Sequence, residues 1–254
     1  MSDLRAFDLT GKRIAVTGAN TGIGQGISLS LARAGAEVIG IGRSAMDETG
    51  AKLSGIGGRF IPVLTDLADA ATRSALIGDL WAAHGSLDGL VNNAGIIRRG
   101  DSEELSDEDW DDVIDVNLKA VFALSQQFGK RVLESGRRGK IVNIASLLSF
   151  QGGIRVASYT AAKHGVAGLT KVMANEWAAK GINVNAIAPG YIVTNNTSAL
   201  RADPKRSAEI LARIPAGRWG EASDIGDTAV FLSAAASDYM HGTIIPVDGG
   251  WLAR

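Results

Sequence analysis

Residues 13–34 read RIAVTGANTGIGQGISLSLARA, and this stretch decides the fold. It opens on Arg13–Thr17, a continuous apolar run typical of a strand that is buried on both faces. Three glycines follow at the spacing G-x-x-x-G-x-G: Gly18, Gly22 and Gly24. A helical pattern then covers Gly22–Ala34. A lone glycine triplet also fits an ordinary tight turn, but a strand, a glycine turn and a helix in this order predict a loop whose backbone N–H groups bind a dinucleotide pyrophosphate.

The same alternation of strand and helix continues to the end of the chain. Further strands are predicted at Glu37–Ile41, Phe60–Leu64, Gly89–Val91, Lys140–Ala145, Asn183–Ile187 and Thr243–Val247. Further helices are predicted at Ala70–His84, Ser106–Ser135, Ser158–Lys180 and Asp224–Ala236. This alternation predicts an α/β fold, a doubly wound parallel sheet of about seven strands with helices on both faces, in one domain over residues 1–254.

Local signals refine these elements. Ser106 with Asp109 three residues later resembles a capping box, and Ser223–Asp224 is the predicted start of the last helix. Pro246 cannot donate a backbone hydrogen bond, so the last strand is expected at the sheet edge. Residues 191–220 contain no good strand and follow the carboxyl end of one, where open α/β sheets bind ligands. Because loops of this length are usually lids or binding loops, we expect a substrate lid there.

Composition excludes several classes of function. Lys and Arg total 26 against 27 for Asp and Glu, and this balance argues against nucleic acid as the main partner. The absence of Cys excludes disulfides, thiolate catalysis and Cys-ligated zinc. The three histidines, His84, His164 and His241, have no metal-ligand spacing, so no metal is expected. No apolar run has the length of a membrane span or a signal peptide, which predicts a cytoplasmic protein. The 32 glycines beside five prolines fit turns of a folded domain rather than collagen or a linker.

Tyr159 and Lys163 stand four residues apart on a predicted helix, so their side chains share one face. A free tyrosine has a pKa of about 10, which is too high for a base at neutral pH, and a nearby ammonium favours the phenolate. We hypothesise that Tyr159 exchanges a proton with a substrate oxygen that Ser146 also hydrogen-bonds. Taken singly, Tyr-x-x-x-Lys is usually a surface pair and Ser146 a turn residue. His164 points elsewhere, because one helical residue turns the side chain by about 100°.

Five motifs in the same order resemble the short-chain dehydrogenase/reductase family. The glycine spacing is the first, and Asn92–Gly95 (NNAG) matches the family's segment after the fourth strand. The family's catalytic tetrad is matched by Asn117, Ser146, Tyr159 and Lys163. Asp66-Leu67 matches the pair beside the adenine, and Pro189-Gly190 with Thr194 matches the segment over the nicotinamide carboxamide. The resemblance implies a Rossmann-type fold and NAD(P)-dependent oxidoreduction of a CH–OH group.

The resemblance also implies residue roles. Lys163 lowers the pKa of Tyr159 and grips the nicotinamide ribose, while Asn117 anchors a water that links Lys163 to solvent. The implied cofactor residues are Gly18, Asn20, Thr21, Gly22, Ile23, Gly24, Arg43, Asp66, Leu67, Asn93, Ala94, Gly95, Tyr159, Lys163, Pro189, Gly190, Ile192 and Thr194.

The end of the second strand bears on the choice between NAD and NADP. It reads Ile41-Gly42-Arg43-Ser44, with an arginine that permits a 2′-phosphate and without the acid that would bind a ribose 2′-hydroxyl. Stacking of Arg43 over the adenine would serve either cofactor. Asp47 and Glu48 follow and could turn inward. The resemblance slightly favours NAD.

Two segments are expected to rim the substrate: Arg98-Arg99 and residues 149–156. Arginines there could hold a carboxylate through two hydrogen bonds, or could be solvated surface residues. The candidate substrate residues are Arg99, Ser146, Gln151, Arg155 and Tyr159.

Runs such as NNAGIIRR, SFQGGIRV and RIPAGRWG resemble the sugar-acid dehydrogenases of the family. They imply a small-molecule sugar acid from uronate breakdown as substrate, and a homotetramer without nucleic-acid or membrane partners. The alternatives are a 4-deoxy-5-hexoseulose uronate reductase, a gluconate 5-dehydrogenase and a 3-oxoacyl carrier-protein reductase. A catalytically silent dinucleotide-binding sensor is an alternative of another class.

Overall fold

The structure is a computed structural model that describes residues 4–254, so the first three residues of the charged N-terminal segment lie outside the described residues. Seven strands in this part of the chain form one parallel sheet in the order β3-β2-β1-β4-β5-β6-β7. They are β1 Arg13–Thr17, β2 Glu37–Gly42, β3 Arg59–Leu64, β4 Gly89–Asn92, β5 Gly139–Ile144, β6 Ile182–Pro189 and β7 Ile244–Val247. The strand order reverses between β1 and β4, which opens a crevice at their carboxyl ends.

Helices cover both faces of this sheet, as the sequence predicts. They are α1 Gly22–Arg33, α2 Asp47–Gly55, α3 Ala70–His84, α4 Asp107–Ile114, α5 Ala120–Ser135, α6 Ala157–Trp177, α7 Ser198–Ala202, α8 Pro204–Arg213 and α9 Ala222–Ser233. Side chains of α1, α2 and α9 enter one buried cluster, and those of α3, α5 and α6 enter another on the opposite face. Within residues 4–254, no helix combines the length and the apolar character needed to cross a membrane.

The central strands are mostly apolar because both of their faces are buried, whereas the edge strands β3 and β7 are only partly buried. In β1, Ile14 and Val16 pack into the cluster under α1, whereas Ala15 between them packs into the opposite cluster. Burial of this kind removes the alternation of polar and apolar residues that marks a one-sided sheet. Pro246 lies in β7, which pairs with β6 at the edge of the sheet, so the expectation of an edge strand is confirmed.

Most strand ends lie within one or two residues of the predicted ones, and the larger differences concern three helices. The long helix predicted from Ser106 is interrupted by a π-helical turn, Asp115–Lys119, although Ser106 does cap α4 by accepting a hydrogen bond from the Asp109 N–H at 3.1 Å. The last long helix begins at Ala222, not at Asp224, because Asp224 accepts from the backbone N–H of Glu221 at 2.7 Å in a reciprocal cap. The helix predicted over 158–180 ends in a 3₁₀ turn after Trp177.

Three helices were not predicted, and two of them lie in the expected lid. The helix α2 begins after β2, and α7 and α8 fill much of residues 191–220. A start signal for α8 was present: Asp203 accepts hydrogen bonds from the N–H groups of Lys205 and Arg206 at 3.0 Å, and Pro204 occupies the first helical position. The segment that the sequence predicts as a lid is therefore largely helical rather than a loop.

The close crossing of α1 and α9 yields a test of the packing. A Cβ added to Gly226 would overlap the hydroxyl of Ser30 and lie 2.9 Å from the backbone oxygen of Gly26, so the helices would have to move apart. We expect Gly226→Ala to lower the free energy of unfolding by about 1–3 kcal/mol. Urea unfolding followed by tryptophan fluorescence measures it.

Gly168→Ala is the matched control, because Gly168 lies in α6 with no atom within 4 Å of the added Cβ. Alanine is favoured over glycine in helices by about 1 kcal/mol, so this variant should be as stable as the wild type or slightly more stable. Equal stability of the two variants would contradict the close crossing.

Candidate active site

A cavity of about 820 Å³ opens at the carboxyl ends of the central strands. Its walls are the glycine turn after β1, the segments that follow β2 to β6, the start of α6, and the lid helix α8. Each of the eighteen predicted cofactor residues lines this cavity. The predicted cofactor residues therefore lie around one continuous cavity, although they are spread over residues 18–194; their roles stay predictions.

The glycine turn leaves no room for side chains. Gly18 has a φ of +68°, which favours glycine, and a Cβ on Gly24 would overlap the carbonyl oxygen of Gly18. Asn93 ties this turn to β4, since its Nδ2 donates to the carbonyl of Thr17 at 2.9 Å. The Thr17 hydroxyl in return accepts from the N–H of Asn93 and of Ala94, both at 2.9 Å. Bare backbone at a helix N-terminus fits a pyrophosphate, so the residues present fit a dinucleotide.

The tetrad residues Ser146, Tyr159 and Lys163 line the same part of the cavity. Ser146 follows β5, and its hydroxyl accepts from the Leu148 N–H at 3.1 Å, while Tyr159 lies in the first turn of α6. Lys163 is buried one turn further along, with its Nζ 5.5 Å from the centre of the Tyr159 ring. The ammonium donates to the carbonyl of Ile144 at 2.6 Å, so the lysine is held by the end of β5.

Burial dominates the ionisation of this pair. Desolvation raises the pKa of Tyr159, opposed by the Ser146 hydrogen bond and by the positive charge of Arg99. Burial lowers the pKa of Lys163 to about 8. The sequence predicts a lowered pKa for Tyr159, but in this chain without a bound cofactor the pKa is raised. The loss of hydration outweighs the effect of the neighbouring charges. Arg99, in turn, is close enough for its charge to act on the tyrosine.

Asn117 lies behind the site rather than in its wall. It is fully buried in the π-helical turn, and its side-chain amide hydrogen-bonds both the N–H and the carbonyl of Ile96. Ile96 N–H donates to Oδ1 at 2.8 Å, and Nδ2 donates to the Ile96 carbonyl at 2.9 Å. The amide thus fixes the segment that follows β4. The water-anchoring role of Asn117 stays a prediction.

At the end of β2, one cationic side chain and no acidic side chain lines the cavity. Arg43 is exposed and lines the cavity, and Gly42 precedes it. Asp47 and Glu48 begin α2 outside the cavity wall, and Glu48 pairs with Lys52 at 2.7 Å, so they do not turn inward. Further along this wall, Asp66 and Leu67 are held by Arg73, which is buried and donates to the Leu67 carbonyl at 2.9 Å.

The structure separates the candidate substrate residues. Arg99 and Gln151 line the cavity together with Ser146 and Tyr159. Arg155 does not line it, because its guanidinium pairs with Asp101 at 3.3 Å, so its assignment to the substrate is not supported. Arg98 also points elsewhere, to Asp109 and Asp112. His164 is exposed and hydrogen-bonds the Thr160 carbonyl, outside the cavity wall as expected.

Sequence reasoning missed the part of the wall that the lid supplies. Helix α8 presents Arg206, Glu209, Ile210 and Arg213 to the cavity, and Trp251 of the C-terminal segment lies beside them. Trp251 is buried, packs on Tyr191 with ring centres 4.7 Å apart, and belongs to an apolar cluster with Ile210. The capping signal at Asp203-Pro204 would have found this helix. Within residues 4–254 no cluster of His, Asp or Glu is placed to hold a metal.

Comparisons with known proteins agree with this geometry. A family model described as Enoyl-(Acyl carrier protein) reductase matches residues 18–252. The chain is 56% identical over 251 residues to 2-dehydro-3-deoxy-D-gluconate 5-dehydrogenase of Escherichia coli (strain K12), covering 99% of both chains. It is 54% identical to the enzyme of that name from Bacillus subtilis (strain 168), covering 98% of both. A solved structure from Agrobacterium tumefaciens, of a protein proposed to be a 2-deoxy-d-gluconate 3-dehydrogenase and containing NADP, is 63% identical with a TM-score of 0.94, covering 98% of this chain and 99% of that one.

The shifted pKa of Lys163 makes stability depend on pH. Between pH about 8 and 10.5 the unfolded lysine holds a proton that the buried one has released, so the free energy of unfolding rises with pH in this window. Lys163→Met removes the effect. We expect the stability of the wild type relative to this variant to increase by at most about 3 kcal/mol between about pH 7.5 and about pH 10.

Urea unfolding at both pH values measures this difference. Lys171→Met, at an exposed position of the same helix, controls for the loss of one lysine. The difference in the free energy of unfolding between the wild type and Lys171→Met should be the same at both pH values. A pH-independent difference between the wild type and Lys163→Met would show that Lys163 keeps an ordinary pKa.

Proposed function

The chain belongs to the short-chain dehydrogenase/reductase family, and on that premise we propose that it is a 2-dehydro-3-deoxy-D-gluconate 5-dehydrogenase. It would interconvert this sugar acid and the corresponding 2,5-diketo acid with a nicotinamide cofactor. The observation that carries the proposal is the 56% identity, over 99% of both chains, to the Escherichia coli enzyme of that name. The convergence of Ser146, Tyr159 and Lys163 on one cavity supports catalysis over a silent binding protein.

In this proposal the chain's own residues move the proton. The Tyr159 hydroxyl donates to the ketone oxygen during reduction, and the phenolate accepts the proton of the alcohol during oxidation. Ser146, which lines the same cavity as Tyr159, donates to the same substrate oxygen and stabilises its developing charge. When bound, the nicotinamide cofactor supplies or accepts the hydride.

Lys163 and Asn117 support this proton transfer without contacting the reacting oxygen of the substrate. The Lys163 ammonium, 5.5 Å from the Tyr159 ring centre, favours the phenolate and is placed to hold the nicotinamide ribose. Its pKa of about 8 keeps it mostly charged at neutral pH. Asn117 holds the segment at Ile96, which lines the cavity wall opposite.

The remaining cofactor residues divide along the cavity. The glycine turn and its neighbours would hold the pyrophosphate, Asp66 and Leu67 the adenine, and Asn93–Gly95 the middle of the dinucleotide. Pro189, Gly190, Ile192 and Thr194 would cover the nicotinamide. What supports this division is that all of these residues line one cavity. The strands that they follow lie in one sheet in the order β3 (Asp66 and Leu67), beyond β2 β1 (the glycine turn), β4 (Asn93–Gly95) and, beyond β5, β6 (Pro189 onward).

The protein's wider setting is part of the same proposal. We infer that it acts in uronate breakdown, in the cytoplasm, as one domain that assembles into a homotetramer. Apolar side chains that remain exposed on α5 and α6 support an assembly through these helices: Phe122, Leu133 and Val172. Size-exclusion chromatography with light scattering measures the oligomeric state.

The first prediction from this proposal concerns Tyr159. The wild type should oxidise 2-dehydro-3-deoxy-D-gluconate, and Tyr159→Phe should lose several orders of magnitude in kcat, because it lacks the hydroxyl that carries the proton. Cofactor affinity should remain within a few-fold, since the ring is kept. Absorbance at the NAD(P)H band gives the rates and cofactor-fluorescence titration gives the affinity.

Two outcomes would count against the assignment. Full activity of Tyr159→Phe would remove the proposed proton donor. No reaction of the wild type with any sugar acid or ketone, with either cofactor, would restore the silent dinucleotide-binding sensor.

The second prediction concerns the choice of cofactor. We infer that Arg43 binds the 2′-phosphate of NADP, because it is the cation at the end of β2 and no acid from β2 or α2 lines the cavity there. Arg43→Ala should lower kcat/KM for NADP at least tenfold and change that for NAD no more than about threefold, since a charge-assisted contact contributes about 1.5–3 kcal/mol.

Steady-state kinetics with both cofactors checks this. Equal losses with NAD and NADP would mean that Arg43 stacks on the adenine and does not read the 2′ position. The ratio of kcat/KM for NAD to kcat/KM for NADP in the wild type tests the preference for NAD that the resemblance implies.

A further inference from the structure

Five arginines belong to α8 or to the segments that follow β4 and β5, which contribute residues to the cavity wall, and these arginines differ in their partners. They are Arg98, Arg99, Arg155, Arg206 and Arg213. Acidic side chains neutralise three of them: Arg98 pairs with Asp109 and Asp112, Arg155 with Asp101, and Arg206 with Glu209. Over the part of the chain that the structure describes, Arg99 and Arg213 have no carboxylate partner, and both line the cavity. Two cations without an acidic partner therefore line the cavity, and one of them, Arg99, acts on Tyr159.

Arg213 is held in place although it has no ion pair. Its guanidinium lies 3.9 Å from the centre of the Trp251 ring, and Trp251 is 5% exposed. Trp251 in turn packs among Leu147, Ile210 and Ile214 and against Tyr191. Stacking on an aromatic face leaves the N–H edge of a guanidinium free to donate two parallel hydrogen bonds. Arg213 is exposed, and the stacking on Trp251 restricts the orientation of its guanidinium.

The two cations belong to different walls. Arg99 follows β4 on the sheet side, where its positive charge reaches Tyr159. Arg213 ends α8 on the lid side, beside the apolar cluster that also contains Leu147, the neighbour of Ser146. An anion that enters the cavity between these walls would contact a cation from each, and it would lie close to the groups that exchange the proton.

We propose that Arg213, stacked on Trp251, is a specificity-determining residue that binds the carboxylate of the substrate from the lid side, with Arg99 opposite. The chemical class selected is a sugar acid over the uncharged form of the same carbon skeleton. Identifying that acid rests on the function proposed above, whereas the anion site itself follows from the two unpaired arginines. The C-terminal segment would then select the substrate through Trp251.

Arg213→Gln tests this site by kinetics. The substrates are 2-dehydro-3-deoxy-D-gluconate and its methyl ester, which lacks the negative charge. We expect kcat/KM for the acid to fall about 10–100-fold, mainly through KM, and that for the ester to change less than about threefold. The KM of the cofactor should stay constant. Arg213→Lys, which keeps the charge without the planar donor pair, should recover part of the loss.

Lys205→Gln is the matched control, because it removes a cation from the same helix at an exposed position outside the cavity wall. It should leave the kinetics of both substrates unchanged. Unaltered kinetics of Arg213→Gln, or equal losses for acid and ester, would overturn the proposal. Equal losses would mean that Arg213 only supports the lid.

A binding measurement separates this proposal from the proposed function. Tartrate, a small hydroxy-dicarboxylate, should raise the Tm of the wild type with cofactor bound, and this rise should shrink severalfold in Arg213→Gln but not in Lys205→Gln. A wild type that turns over no sugar acid but shows this pattern would disprove only the proposed function. If the wild type turns over the sugar acid, but tartrate raises the Tm of Arg213→Gln as much as that of the wild type, only the anion site is disproved.

Discussion

The close approach of Gly24 to the carbonyl oxygen of Gly18 is the constraint on which the site depends. No side chain fits between them, so α1 begins directly against the end of β1 and its free N–H groups point into the crevice. Asn93 and Thr17 then join this turn to the end of β4 through three hydrogen bonds of 2.9 Å. The reversal in strand order, which opens the crevice, is thereby locked at the point where a pyrophosphate would bind.

Desolvation is the second physical theme of this site. Burying Lys163 lowers its pKa to about 8, and the same burial raises the pKa of Tyr159. The two effects oppose the phenolate–ammonium pair that proton transfer needs, so the neighbouring charges must restore it. Arg99 and the Ser146 hydroxyl already act in that direction. Lys163 is held in place because its ammonium donates a short hydrogen bond of 2.6 Å to the carbonyl of Ile144.

Charge compensation decides which of the nearby arginines remain available to a ligand. Arg98 and Arg155 are neighbours of the site in sequence, yet aspartates at 101, 109 and 112 draw them outward. Arg213 is remote in sequence and is brought to the cavity by α8 and by the stacking of its guanidinium on Trp251. Sequence proximity to the tetrad is therefore a poor guide to substrate contacts, because a short side-chain rotation toward an acid removes an arginine from the wall.

Local sequence signals were enough to predict the sheet and the glycine turn, and the predicted cofactor residues lie around one cavity. Continuous apolar strands, missing Cβ atoms and the i, i+4 spacing of Tyr159 and Lys163 are local properties that survive without knowledge of the neighbours. Helix α8 has a local start signal at Asp203-Pro204, whereas the π-helical turn at Asn117 and the partners of the arginines follow only from the tertiary structure. Each of these depends on groups far away along the chain: the Ile96 backbone for Asn117, Trp251 for Arg213, and Asp101 for Arg155. Burial sets the pKa values in the same way, since hydration is lost only when distant elements close over the site.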